Sequence, residues 1–314
     1  MNAPLNAPVT VSILGLGEMG RALAAALLGA GHAVTVWNRT PGRAAQLVES
    51  GAVEAPSAGA ALDSSELVIV CLFDHDSVHE TLDPLVDRLR GRVLLNLTTT
   101  SPEQARELGR WADAAGVAAL DGGIMAVPSM IGGPGSEILY SGDQNSFERY
   151  RHVFDRWGIS SYFGADPGLA SLYDIALLSG MYVMFAGYMQ GAALVATAGV
   201  SATAFAERSA AWLSAMSGEL VGYGRVIDGG DYTVAGQQSL DFSDLSKMLE
   251  AAAEAGVGAE PLAMVQSLIA RQRDAGRGAE GFARIFESVR HADSVAGSGG
   301  GERQTTVDGS AAAA

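Results

Sequence analysis

The chain changes its hydrophobic rhythm once. Up to about residue 165, short apolar runs alternate with segments whose apolar positions recur every three or four residues. That is the pattern of strands and helices taken in turn. Beyond that point the strand-like runs stop and only helical spacing remains. Runs at residues 9–14, 33–37, 67–73, 93–97, 117–120, 137–141 and 160–163 read as strands, and 21–28, 78–89, 102–115 and 147–157 as helices. The run 67–73 (LVIVCLF) is continuously apolar, as a parallel strand covered on both faces must be. Ser101 ahead of Pro102, with Gln104 three positions on, predicts a capping box. The alternation predicts an α/β fold, a doubly wound Rossmann-type domain over residues 1–165.

The next stretch, 164–200, reads GADPGLASLYDIALLSGMYVMFAGYMQGAALVATAGV. Asp166 followed by Pro167 is a helix-start signal, an acceptor side chain and then a residue whose missing N–H is not needed. No charged side chain occurs from residue 175 to 206. A helix over 167–200 would be roughly 50 Å long, more than a small domain needs. We read residues 166–200 as an interdomain helix, with Asp174 the one charge interrupting its apolar face. Helical spacing at 202–223, 241–255, 260–275 and 281–289 predicts an all-α C-terminal domain over 201–291, for substrate and dimerisation. Residues 292–314 are small and polar and are expected to be a disordered tail.

One turn carries chemistry. GLGEMG, residues 15–20, follows the first strand, opens the first helix, and is followed by Gly31 and the second strand. Strand, Gly-rich turn, helix and strand within about 30 residues is the context a dinucleotide fingerprint requires. Gly15 permits the tight turn, Gly17 lets a pyrophosphate approach the backbone, and Gly20 lets the helix pack close. Leu16 and Met19 are assigned to the cofactor with them. A carboxylate after the second strand would mark NAD; here stand Asn38, Arg39 and Thr40, with Arg43 a turn further. A guanidinium suits a 2′-phosphate, so the cofactor reads as NADP(H). Leu72 and Asn96, at strand carboxyl ends, are expected to border it.

Composition narrows the partners. A net charge of −15 argues against nucleic acid. A lone Cys71 permits neither an intramolecular disulfide nor a multi-cysteine zinc site and fits a cytoplasmic location. The five histidines look scattered, and no metal is expected. The N-terminus lacks the basic and apolar regions of a signal peptide. The uncharged run 175–206 passes a length test for a membrane span, but it is rich in Gly, Ala and Ser and lacks flanking Lys or Arg. We therefore expect no membrane partner and a helix covered on most sides by other helices. The helical domain looks too thin to cover it, which predicts a homodimer with intertwined helical domains.

On a helix, Asp174, Leu178, Met181 and Phe185 share one stripe, while Tyr182 lies about 80° round and roughly 12 Å along. Asp174 and Tyr182 could bracket a cavity walled by Ile124, Met125, Val127, Met181, Phe185 and Trp212. Blander roles also fit. Asp174 could be a buried carboxylate satisfied by backbone or hydroxyl donors, Tyr182 a half-buried aromatic, and Asn96 a turn residue.

GLGEMG, WNRTPGR at 37–43, NLTT at 96–99, IMAVP at 124–128 and GADPGLASLYD at 164–174 together resemble the NADPH-dependent imine reductases and reductive aminases. That family is related to the 3-hydroxyacid dehydrogenases, and the resemblance covers about residues 9–290. In those dehydrogenases the position of Asp174 is a Lys, with an Asn one turn later; this chain has Asp174 and Leu178. The resemblance implies reduction of C=N bonds, in cyclic imines or in iminium ions formed from ketone plus amine. It implies catalytic roles for Asp174, Tyr182 and Asn96, the last near the nicotinamide. Electrostatics agree, because imine nitrogen must become cationic to accept hydride at carbon and a carboxyl can donate or support that proton. Two alternatives stand beside it, a 3-hydroxyacid dehydrogenase-like oxidoreductase and a non-catalytic NADPH-binding sensor.

Overall fold

The computed structural model describes residues 8–291; the tail expected at 292–314 lies outside them. The strands are β1 (Thr10–Leu14), β2 (Ala33–Trp37), β3 (Val53–Glu54), β4 (Leu67–Val70), β5 (Val93–Asn96), β6 (Ala118–Met125), β7 (Glu137–Gly142) and β8 (Ile159–Tyr162). They form one sheet in the order β3-β2-β1-β4-β5-β6-β7-β8. Every neighbouring pair is parallel except β6 and β7. The first six strands follow the doubly wound order, in which ligands bind at strand carboxyl ends. The helices of this region are α1 (Glu18–Gly29), α2 (Ala45–Glu49), α3 (Ala58–Asp63), α4 (His75–Leu82), α5 (Val86–Leu89), α6 (Pro102–Ala115) and α7 (Gln144–Phe154). Two apolar clusters cover the sheet's faces; one holds Ile13, Ile69, Leu95 and Trp157, the other Leu14, Val68, Val70 and Leu94. Successive strand residues alternate between them, as the pleat requires.

Three departures from the sequence reading have physical causes. The expected helix 78–89 is broken by a 3-10 turn at Asp83–Leu85, where Pro84 removes an N–H from the ladder. β3, with only two residues, is too short to leave a periodic signal. β6 continues through Gly122 and Gly123, beyond the strand expected at 117–120. These glycines serve contact rather than bending. A Cβ on Gly122 would stand 2.7 Å from Leu97 and 2.9 Å from the Leu139 carbonyl oxygen. A Cβ on Gly123 would stand 2.7 Å from the Asp174 Cβ.

The long helix α8 (Gly168–Ala196) has 29 residues, and its start is fixed from two sides. Arg106 on α6 donates twice to Asp166, both at 2.9 Å. Ser141 on β7 donates to the Pro167 carbonyl at 2.8 Å and accepts from the Ala170 N–H at 3.0 Å. This anchoring turns Gly168, Ala170, Ser171 and Asp174 inward, and no later residue of α8 is buried. The chain divides into two compact units between Gly180 and Met181, inside the helix rather than at either of its ends.

Among its described residues the second unit carries the end of α8 and the helices α9 (Ala202–Met216), α10 (Glu219–Gly229), α11 (Ser246–Glu254), α12 (Glu260–Asp274) and α13 (Ile285–Arg290). The helix expected over 202–223 breaks at Ser217 and Gly218. The apolar cluster of this unit is small, Val226, Tyr232 and Ala283, and α9 buries none of its residues. Within one chain α8 is not covered on most sides as expected: only 17% of the residues in its apolar stretch are buried. By length and composition alone that helix could cross a membrane.

Candidate active site

The Gly-rich turn has the shape a dinucleotide needs. Gly15 sits at φ +102°, and a Cβ there would stand 2.1 Å from the Cys71 carbonyl oxygen. A Cβ on Gly20 would meet the Gly15 carbonyl oxygen at 2.0 Å. At Gly17, by contrast, nothing lies within 4 Å, and no side chain caps the N-terminus of α1. A phosphate can therefore approach free N–H groups at this point. The side chains of Leu16 and Met19 turn towards the protein. Leu16 is wholly buried with its N–H donating to Asn38 Oδ1 at 2.9 Å, and Met19 packs against the core.

Asn38 in turn donates to the Thr40 carbonyl at 2.8 Å, so its amide ties the tip of β2 to the Gly-rich turn. Arg39, Thr40 and Arg43 are exposed at that tip. An acidic side chain does reach Arg39 from elsewhere in the chain: Glu80, from α4, lies 3.3 Å from its guanidinium. Both side chains are well exposed, so the pair is a weak one that a phosphate dianion can displace. Beside β4, the Leu72 N–H donates to Thr98 Oγ1 at 2.9 Å, and Phe73 is 90% exposed.

Deeper in, the ends of β5, β6 and α8 meet in a buried polar network. The β5–β6 register sets Asn96 opposite Asp121. Asn96 Nδ2 donates to Asp121 Oδ1 at 2.9 Å, and its Oδ1 accepts from the Thr98 N–H at 3.1 Å. Ser171 donates to Asp121 Oδ2 at 2.6 Å, with Thr100 Oγ1 3.2 Å from the Ser171 hydroxyl. Asn96 has no exposed surface. Its amide anchors Asp121 and the strand end.

Asp174 follows Ser171 by three residues on the same face of α8 and lies over Gly123. It is 4% exposed, and burial pushes its carboxyl up to about 6. Among the described residues no ion pair and no hydrogen bond within the chain engages that carboxyl, unlike the satisfied carboxylate of the bland reading. Asp121 is pushed up to about 7 by burial, held back by Ser171 and Asn96, and raised again by the charge of Asp174. Sequence reasoning passed over Asp121, Ser171 and Thr100. The available signal was an Asp within an apolar strand, where an unpaired charge is costly.

Of the apolar walls, Ile124 and Met125 are half-buried at the end of β6, and Val127 is exposed. In the second unit Met181 is half-buried, while Tyr182, Phe185 and Trp212 are 66%, 46% and 63% exposed. The expectation of no metal-ligand spacing does not hold either. His75 and His79 stand at i, i+4 on α4, and Glu107 joins them.

Residues 166–291 match the model described as "NADPH-dependent reductive aminase-like, C-terminal domain". Residues 10–164 match the "NAD binding domain of 6-phosphogluconate dehydrogenase". The NADPH-dependent reductive aminase of Aspergillus oryzae is 36% identical over 282 residues, 88% of this chain and 96% of that one. The structure of the reductive aminase from Aspergillus terreus, in complex with NADPH4, cyclohexanone and allyl amine, superposes with a TM-score of 0.85. It is 41% identical, covering 90% of this chain and 100% of that chain. An imine reductase from Aspergillus terreus, in complex with NADPH4 and dibenz[c,e]azepine, gives a TM-score of 0.81 at 41% identity, over 89% of this chain and 99% of that one.

Proposed function

We propose, from the premise that this chain belongs to the NADPH-dependent reductive aminase-like family of imine reductases, a mechanism in which Asp174 governs the substrate nitrogen. The enzyme is an NADPH-dependent oxidoreductase that reduces C=N bonds to amines. NADPH, when bound, supplies the hydride. The residues present fit that cofactor: open space at Gly17, the uncapped start of α1 and the exposed Arg39 and Arg43 suit a pyrophosphate and a 2′-phosphate.

One observation carries the mechanism. Asp174 is a buried carboxyl without a cationic or hydrogen-bonding partner among the described residues, raised to about 6 by burial alone. Such a group carries a proton in mildly acidic solution and in part up to pH 7, and passes it to a basic nitrogen; once charged, it stabilises the iminium it has made. Ser171, Asp121 and Asn96 hold the floor beneath it. Alcohol oxidation would require a cation in this place. The chain's single lysine, Lys247, is 90% exposed and paired with Glu250. The dehydrogenase alternative is therefore not favoured.

Substrates are cyclic imines and ketone–amine pairs, with Ile124, Met125 and Val127 as apolar contacts. In the second unit Tyr182, Phe185 and Trp212 present exposed rings able to contact an apolar substrate, with Met181 beside Tyr182 on the same helix. The working form is a homodimer. The support is unpaired apolar surface: Val183, Met184 and Met189 on α8 and Leu220 and Val221 on α10 are all exposed in one chain. A second copy can cover them, whereas a bilayer cannot readily take a helix rooted in the polar network at Ser171. A cytoplasmic location is proposed with it, on the support of a lone cysteine, Cys71, that has no partner for an intramolecular disulfide. The test is NADPH oxidation with a simple cyclic imine. Asp174→Ala is expected to lower turnover by about two orders of magnitude; unchanged turnover defeats the assignment.

A further inference from the structure

Three ligand-type side chains that the C=N chemistry does not use converge between α4 and α6. His75 and His79 stand one helical turn apart on α4, so their rings project from one face. Their Nε2 atoms lie 3.1 and 3.0 Å from the same oxygen, Glu107 Oε2 on α6. All three ligand atoms fall within 4.8 Å of one another. A tetrahedral ion bound at about 2.0–2.1 Å sets its ligands roughly 3.3 Å apart, so little movement is needed to close around one.

The surroundings are those of a built site. Asp83 Oδ1 lies 2.9 Å from His79 Nδ1, which turns the ring so that Nε2 faces inward. A carboxylate on the far nitrogen is the usual partner of a metal-bound histidine. Trp111 sets its ring edge-on to His79 at 5.6 Å. The Nδ1 of His75 is buried without a partner. The His75 and His79 side chains are 13% and 20% exposed and Glu107 is 45% exposed, so the cluster is roofed yet reachable.

A divalent cation set between the three groups relieves the crowding of two rings on one carboxylate oxygen. We propose that His75, His79 and Glu107 form a binding site for a zinc-class divalent cation, completed by water, with Asp83 orienting His79. Two nitrogens and one carboxylate oxygen suit Zn²⁺ better than Mg²⁺ or Ca²⁺, which take oxygen shells. The ion would join α4 to α6. These helices follow β4 and β5, whose ends are already tied by the Leu72–Thr98 hydrogen bond beside the expected cofactor edge. Its role is a staple across two strand-to-helix connections, so the test does not depend on turnover.

The full chain, freed of metal with a chelator, is titrated with zinc chloride against a chromophoric indicator. One Zn²⁺ per chain is expected. Asp83→Asn, at a half-exposed position, should weaken binding roughly 10- to 100-fold. His79→Ala and Glu107→Gln should abolish stoichiometric binding, and His152→Ala and His291→Ala should leave it intact. Zinc should raise the thermal unfolding midpoint of the wild type and not that of Glu107→Gln. Should the histidine variant fail to fold, Glu107→Gln and Asp83→Asn still decide. Wild-type affinity in those two variants, or no stoichiometric uptake by the wild type, overturns the proposal.

Discussion

The protonation of Asp174 can be read from the sign of two pH profiles. A neutral imine needs a proton before it accepts hydride, so the useful enzyme form carries Asp174 as the acid. A permanently cationic N-alkyl iminium needs none, and the useful form carries the carboxylate, whose charge offsets that of the substrate. With the carboxyl at about 6, the acid form falls from about nine-tenths to about one-tenth of the enzyme between pH 5 and pH 7. The carboxylate form rises by the same amount. For a cyclic imine too weakly basic to protonate in that range, kcat/KM should fall about tenfold. For the N-alkyl iminium it should rise about tenfold. NADPH consumption, corrected for acid decomposition of the cofactor without enzyme, measures both. Asp174→Asn should flatten both profiles. Parallel profiles for the two substrates, or profiles that survive Asp174→Asn, would refute the reasoning.

The remaining predictions concern the frame around that carboxyl. Gly123→Ala sets a methyl against the Asp174 side chain, so it should cost about 1–3 kcal/mol in denaturant unfolding and lower turnover as well. Asp121 is raised to about 7, so its stabilising contribution is full below about pH 4 and is lost as pH rises through 7. Unfolding midpoints of Asp121→Asn should therefore decline less than those of the wild type between pH 5 and pH 8, where one such group contributes up to about 1.4 kcal/mol per pH unit. Arg39→Ala removes a charge-assisted partner of the 2′-phosphate and should raise the KM for NADPH roughly 10- to 100-fold while leaving that for NADH nearly unchanged. Light scattering should give twice the 32.3 kDa of one chain, and a monomer that is fully active would remove the homodimer from the account.

Much of the first unit was legible because its signals are local. The capping box at Ser101 and Gln104, the apolar run of β4 and the turn after β1 each lie within a few residues of sequence. Features made by distant residues meeting were not legible. Gly122 and Gly123 fell outside the expected strand because only Leu97, Leu139 and Asp174 explain why those side chains are missing. Asp121 went unremarked because its partners stand 25 and 50 residues away. Glu80 and Arg39, 41 residues apart, show the same blind spot. The histidine pair is different. Its spacing was visible, but the third ligand lies on α6, 28 residues beyond His79. Asp174 stood out because a single charge in a long apolar helix is conspicuous without any knowledge of its neighbours.

The pairing of Asn96 with Asp121 across β5 and β6 has a hereditary consequence. The turn at Gly116 between α6 and β6 is less constrained than α6 itself, whose register places Arg106 and Glu107. Within either strand, one inserted or deleted residue would swing the amide or the carboxyl to the opposite side of the pleat and abandon its mate. Descendants of this gene can therefore explore the neighbourhood of the reaction by exchanging letters, while frame-preserving indels inside those few codons are closed to them.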